Sequence, residues 1–160
     1  MFALLREPEL YRHLDYPPPP TVEHLSSVYA ALEKRQSPDG SQRWLNWVVR
    51  EPACGLVGYV QATVARSGAA WVAYVLGRKY WGHGFATLAT GRMLDHLAEA
   101  CAVRRYLATV EQANRPSLAV LQRLGFVETA AEEAARDALS PSERLFVRDA
   151  ASAVSIRCQN

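Results

Sequence analysis

One run of residues, Val75-Leu-Gly-Arg-Lys-Tyr-Trp-Gly-His-Gly-Phe-Ala-Thr87, constrains this chain more than any other. It changes period midway. Val72 to Leu76 is an apolar, β-prone stretch closed by Gly77, the pattern of a buried strand. From Phe85 onward, Phe85, Leu88, Ala89, Met93, Leu97 and Cys101 recur near helical spacing. The loop between them carries Gly82 and Gly84. Lacking Cβ, they let the backbone approach a ligand closely and expose its N–H groups. Those groups stand where a helix begins, and unpaired donors and the helix dipole both favour an anion there. The segment therefore predicts a cradle for a phosphate or pyrophosphate, although a tight turn without a ligand would use the same glycines. Thr87 occupies the third glycine position of the dinucleotide fingerprint, and no Gly-Lys-Ser/Thr follows, so neither standard nucleotide loop is present.

A second segment, Asn114-Arg-Pro-Ser117-Leu-Ala-Val-Leu121-Gln-Arg-Leu124-Gly125-Phe126, reads as a short capped helix. Asn114 is a good N-cap, and Pro116 fits the first turn, where its missing N–H is harmless. Ser117, Val120, Leu121 and Leu124 share a face. Gly125 suits the left-handed position after the last turn, and Phe126 restarts an apolar strand. Arg105 to Val110 reads as the strand before this helix. Residues 71–128 thus run strand, glycine loop, helix, strand, Asn-capped helix, Gly-Phe strand.

The ordered pair of segments resembles the GNAT superfamily of acyl-CoA-dependent N-acetyltransferases. The first is similar to its pyrophosphate motif, Arg/Gln-x-x-Gly-x-Gly/Ala, with Lys79 in the first position, Arg78 beside it, and Gly82 and Gly84 matching. The second is similar to its Asn-x-x-Ala/Ser…Gly-Phe pattern. Within the superfamily, Tyr80 to Thr87, Asn114, Ser117 and Leu124-Gly-Phe126 most resemble the branch holding the ribosomal-protein N-terminal acetyltransferases. The fold this implies is α/β (α+β): one domain over residues 1–150 with a tail at 151–160. A mixed central sheet has helices on both faces, and a splayed parallel strand pair takes the acyl-CoA.

The resemblance also assigns roles. Acetyl-CoA is the implied co-substrate, and no metal is implied. Backbone and side-chain groups of Arg78, Lys79, Tyr80, Trp81, Gly82, His83, Gly84, Phe85 and Ala86 would hold the pyrophosphate. A backbone N–H near Val75 would polarise the thioester carbonyl. Asn114 would contact the cofactor arm, and Ser117 would serve the departing thiolate. The tyrosine that many relatives place seven residues after the Asn is Leu121 here. A glutamate common on the strand before the loop is Trp71, and another carboxylate position is Leu88. Glu111 is then the best remaining carboxylate for proton removal, with His83 and Tyr74 as further candidates. The implied acceptor is a small amine or a protein N-terminus. A domain that binds acyl-CoA without turnover is the alternative.

The remainder is consistent with one such domain. Length is 160 residues, hydrophobic content 49% and charged content 21%, ordinary for a globular domain. A formal charge of +2 gives no ground for a nucleic-acid partner. Cys54, Cys101 and Cys158 are three and widely spaced, so no disulfide framework is expected and a reducing cytoplasm is the default; Cys101 reads as core. His13, His24, His83 and His96 show no metal-ligand spacing, and no run is long and apolar enough to span a membrane. Along the chain we expect a short helix over 2–14, a stiff Pro17–Pro20 connection and a helix from Thr21 to Lys34. A turn follows at Ser37–Gly40, then strands at Trp44–Arg50, Gly55–Ala65 and 70–76, the last two joined by a hairpin turn at Arg66-Ser-Gly68. Residues 129–139 read as a helix or loop, Arg144–Arg148 as a last strand and 150–160 as frayed. The strand that usually precedes the first helix of the family has no counterpart. Tyr16, the prolines, Trp44 and Trp47 could line an acceptor site. Monomer and homodimer both remain open.

Overall fold

The computed structural model describes residues 1–130 and 139–150. A short helix α1 (Phe2–Leu5) and a 3-10 turn at Pro8–Tyr11 open the chain. The single helix expected over 2–14 is thus divided, and Pro8, which cannot donate to a preceding turn, marks the division. Helix α2 (Val22–Leu32) starts where Thr21 Oγ1 accepts the His24 N–H at 3.1 Å. Strands β1 (Gln42–Glu51), β2 (Gly55–Ala65) and β3 (Ala69–Leu76) follow as an antiparallel meander. Then come α3 (Phe85–Cys101), β4 (Arg105–Glu111), α4 (Arg115–Arg123), β5 (Val127–Thr129) and β6 (Glu143–Asp149). Residues 131–138 and 151–160, where a helix or loop and a frayed tail were expected, lie outside the described residues. The sheet is six-stranded in the order β1-β2-β3-β4-β6-β5, and its first strand in the chain begins at Gln42.

Alternation along the strands sends side chains to two unlike faces. On one lie Val60, Ala62 and Val64, Ala70 and Val72, Tyr106, Ala108 and Val110, and Phe146. Helix α3 covers them with Met93, Leu94 and Leu97, and α4 adds Leu121, with Cys101 packed against the same cluster. This is the main core. On the other face a smaller cluster joins Leu5, Leu10 and Leu25 of the N-terminal layer to Tyr59 and Val75. A third group there holds Trp71, Leu107, Leu145 and Val147.

The feature that positions the site is where two strands part. β3 and β4 are the parallel pair, and they pair only from Ala69↔Arg105 to Trp71↔Leu107. Both strands continue beyond that point, to Leu76 and Glu111, without pairing to each other. β3 stays with β2 throughout, from Val64↔Ala70 to Gly58↔Leu76, and β4 stays with β6 over its whole length. The β1–β2 register shifts between Val49↔Gly58 and Arg50↔Leu56, a bulge that coils β2 locally. β3, bonded to β2 on that side, follows it away from β4.

Gly58 lets the two strands come this close. A Cβ on it would lie 2.8 Å from Leu76 Cα and nearer still to the Val75 carbonyl oxygen, both backbone atoms that cannot swing aside. Gly91 in α3 is different: its added Cβ would only touch Leu124 Cδ2, at an ordinary 3.5 Å. Gly58→Ala is therefore expected to lower stability by about 3 kcal/mol or more. Gly91→Ala should raise it by about 0.8 kcal/mol through helix propensity. Urea denaturation of the two variants beside the wild type measures both.

Candidate active site

At the end of β3 the chain makes a 3-10 turn, Arg78–Tyr80, and then crosses Trp81-Gly82-His83-Gly84 into α3. The turn is closed by Tyr80 N–H donating to Gly77 O at 2.9 Å and Trp81 N–H donating to Arg78 O at 3.0 Å. Tyr80 is buried, with its ring edge-on to Phe85. Trp81 Nε1 donates to Leu76 O at 2.7 Å. These two residues were expected at the cofactor; their own N–H groups are already committed, and they brace the loop. His83 Nδ1 meets Trp81 O at 2.7 Å and its ring stacks on Phe85.

Beyond the brace the backbone is free. Gly82 and Gly84 have φ of +77° and +79°, left-handed values that suit glycine, and nothing lies within 4 Å of the Cβ each lacks. The N–H groups of Gly82, His83, Gly84, Phe85, Ala86 and Thr87 find no acceptor among the described residues; the first one bonded back is Leu88, to Gly84 O at 3.0 Å. A run of unpaired donors at the positive end of a 17-residue helix is an anion site in waiting. Arg78 and Lys79 are exposed beside it, Lys79 Nζ standing 4.8 Å from the Tyr80 ring centre.

The cradle opens onto the gap between β3 and β4. Gly77 N–H donates to Val57 O at 3.0 Å, and the β2–β3 register carries this pairing on unbroken. Hydrogen-bonded pairs alternate in an antiparallel ladder, so Val75 turns its N–H toward Tyr59 on β2. The strand-edge N–H groups that face the gap near Val75 are therefore those of its neighbours, Tyr74 and Leu76. Leu76 O, on that same edge, is the carbonyl that the Trp81 indole satisfies.

On the face covered by α3 and α4, Tyr74 reaches across to α4. Its hydroxyl donates to Ser117 O at 3.0 Å and shares a 2.8 Å bond with Ser117 Oγ. Asn114 Oδ1 caps α4 by accepting Ser117 N–H at 3.2 Å. Asn114, Ser117 and Tyr74 are thus brought together at one rim of the gap. Leu121 is fully buried in the core and Trp71 packs with Leu107 and Leu145, so both are packing residues. Leu88 is 63% exposed on the outside of α3.

On the opposite face, Trp71, Ala73 and Val75 alternate out from β3, and Leu107, Thr109 and Glu111 from β4. Extending the register of Trp71↔Leu107 sets Thr109 level with Ala73 and Glu111 level with Val75. Ala73 and Thr109 are exposed, so this face is open at the middle of the gap. Glu111 Oε2 is bonded by His13 Nδ1, from the segment between the first 3-10 turn and the prolines. Sequence reasoning considered His13 only as a metal ligand. Nothing local links it to a residue 98 positions away. Tyr16, edge-on to Tyr11, lies in the same N-terminal layer. Trp44 shares the open face by alternation, but Trp47 stacks edge-on against His96 of α3 and belongs to the core side.

The family model for the acetyltransferase (GNAT) domain matches residues 1–127. The chain belongs to the GNAT acetyltransferase family. A 60-residue stretch of this GNAT chain is 38% identical to an uncharacterized N-acetyltransferase, p20, of Bacillus licheniformis, covering 38% of this chain and 34% of that protein. Among solved structures, RimJ of Mycobacterium smegmatis in complex with CoA-disulfide superposes with a TM-score of 0.68 at 28% identity, over 81% of this chain and 63% of RimJ. This chain therefore spans under two thirds of both proteins. Spermidine N-acetyltransferase of Vibrio cholerae, in complex with CoA and spermine, superposes with a TM-score of 0.72 over 92% of this chain and 86% of its own, at 16% identity. The mixed sheet with its splayed strand pair is thus the GNAT fold. Among the described residues, no group of three or more His, Cys, Asp and Glu could hold a metal ion, and no helix is long and apolar enough to cross a membrane.

Burial pushes the Tyr74 hydroxyl from its ordinary 10 up to about 12, an effect the Ser117 bond only partly offsets. The folded value is above the unfolded one. Tyr74 therefore contributes stability that is complete below pH 10 and lost as pH rises through about 12. Tyr74→Phe should cost about 1 kcal/mol at neutral pH. It should also flatten the decline of melting temperature between pH 10 and 12, which a thermal titration of the two proteins would reveal.

Proposed function

We propose that this chain transfers an acetyl group from acetyl-CoA to a primary amine by direct attack through a tetrahedral intermediate. The observation that carries the reading is the run of unpaired amides from Gly82 to Thr87, opening onto a gap whose two rims differ chemically. The amides from Gly82 to Ala86 take the pyrophosphate, with Arg78 and Lys79 adding charge. The pantetheine arm lies along the unpaired edge of β3, where the Tyr74 N–H can take the role expected near Val75. That family neighbours are solved with CoA supports this donor.

The reaction needs the amine and thioester held together, which supplies roughly 7–11 kcal/mol at best. It also needs one proton removed from the ammonium and one supplied to the thiolate. Ser117 is placed to serve the thiolate. When the Tyr74 hydroxyl turns its one proton from Ser117 O to Ser117 Oγ, the serine O–H is released to turn toward the sulfur. Asn114 fixes the start of the helix that carries it. Glu111, on the other rim, supplies the carboxylate on the acceptor side. The acceptor is a small amine or a protein N-terminus. The neighbours named for spermidine acetylation and as RimJ support that range.

Thiol release from acetyl-CoA, followed over a panel of small amines, polyamines and N-terminal peptides, tests the reading. CoA should raise the melting temperature by mass action. Release should depend on one class of amine. Gly84→Ala places a side chain at φ +79° within the cradle, and it should weaken CoA affinity about tenfold, or about 1.4 kcal/mol. Binding of CoA with no thiol release for any amine would make the chain a binding domain without turnover, and no thermal response to CoA would remove the donor site altogether.

A further inference from the structure

The His13–Glu111 pair has no packing reason to exist. It joins a loop residue to a strand end 98 positions away, where the sheet face is open, and each side chain keeps part of its surface in solvent, 23% and 30%. Glu111 sits level with Val75, beside the part of β3 where the thioester would lie. Nδ1 of His13 is taken by Glu111, whereas Nε2 has no partner among the described residues. A carboxylate on one imidazole nitrogen fixes the tautomer that leaves a lone pair on the other. Glu143 lies beside Glu111 as its β6 partner and accepts the Ser140 N–H at 2.9 Å.

We propose that His13 Nε2 is the base that takes the proton of the acceptor ammonium, and that Glu111 orients His13 instead of meeting the amine itself. This rests on the acetyl-transfer reading above. The ammonium gives one proton to Nε2, and its freed lone pair forms the new N–C bond at the thioester carbon. The tetrahedral intermediate then breaks its C–S bond. The thiolate leaves with a proton from Ser117 or water, the new amide nitrogen gives up its second proton to replace the one so lost, and His13 returns its own to solvent. Glu111 keeps its charge throughout and stabilises the imidazolium. The other titratable groups bearing on the pair are Glu143 from β6 and, on the same segment, Arg12, ion-paired to Glu9, and Asp15. The tyrosines of that layer are Tyr11, Tyr29 and Tyr59, held protonated by burial, with Tyr16 against Tyr11.

The experiment compares full-length wild type, His13→Gln, His13→Ala and Glu111→Gln. Two acceptors are used: an amine the wild type acetylates that is protonated at pH 7, and hydroxylamine, which is largely unprotonated there. Retention of the CoA-induced rise in melting temperature certifies each fold. His13→Gln should lower kcat about 10²-fold for the protonated amine and far less for hydroxylamine. Its rate should climb with pH across a range where the wild type has levelled off. Added imidazole should partly restore His13→Ala, and Glu111→Gln should lose about tenfold. Equal losses with both acceptors and an unchanged pH profile would make the pair a mere tether and overturn the proposal. Loss in Glu111→Gln with full activity in His13→Gln would overturn it in favour of direct action by Glu111. Absence of wild-type turnover with every amine would overturn the transfer reading and this inference with it.

Discussion

Two strands that stop bonding to each other partway along are an unusual thing to stabilise, because each backbone polar group left in the gap costs free energy when it is dry. β3 and β4 can separate here because each has another full partner. β3 is held along its length by β2, and β4 by β6. The bulge in β2 and the bare Gly58 allow β3 to follow β2 closely, so the strain of parting is carried by one irregular register and not by the gap. On the gap edge, the Leu76 carbonyl is given a side-chain donor by Trp81. What is left open is a strand edge at Tyr74 that an extended amide-bearing ligand can complete, as an added strand completes a sheet.

Everything else at the site follows from which face of the sheet a residue occupies. Even-numbered positions of β3 and β4 look toward the large core under α3 and α4, where Tyr74 and Ser117 meet. Odd-numbered positions look toward the thin N-terminal layer, where His13 meets Glu111. The run of unpaired amides belongs to the rigid side, since it leads into the first turn of the helix that packs the main core. On the proposed reading, donor and acceptor would approach a common gap from opposite faces, with Ser117 and His13 separated by the sheet itself.

The loop and the capped helix are legible in the sequence because their physics is local. Glycines at left-handed positions, an Asn cap, a proline in a first turn and a Gly after the last turn are each dictated by neighbours within a few residues, and Thr21 is readable as a cap for the same reason. The splayed pair follows from the resemblance. The direction of the Val75 N–H does not, because it depends on the phase of a ladder fixed by Gly77 and Val57 and on a bulge that leaves no mark in hydrophobic periodicity. The break at Pro8 is visible in residue type, but the helical spacing around it points the other way. Trp71 and Leu121 read as lost chemical groups, whereas in space they fill core positions. His13 lies beyond reach, since partners that meet only through tertiary folding have no shared period.

The N-terminal layer has an evolutionary consequence. It is fastened to the sheet by three buried leucines and their partly buried neighbours, while the main core is built from β1 to β4, β6, α3 and α4. A unit attached so lightly can open by itself at a small fraction of the global unfolding free energy. It can also be rewritten, residue by residue, with little cost to the remainder. On the proposed reading, selection acting on residues 1–41 could then retarget the acceptor while the donor side stays as it is. A lineage of such chains would diverge in what they modify far faster than in what they modify it with.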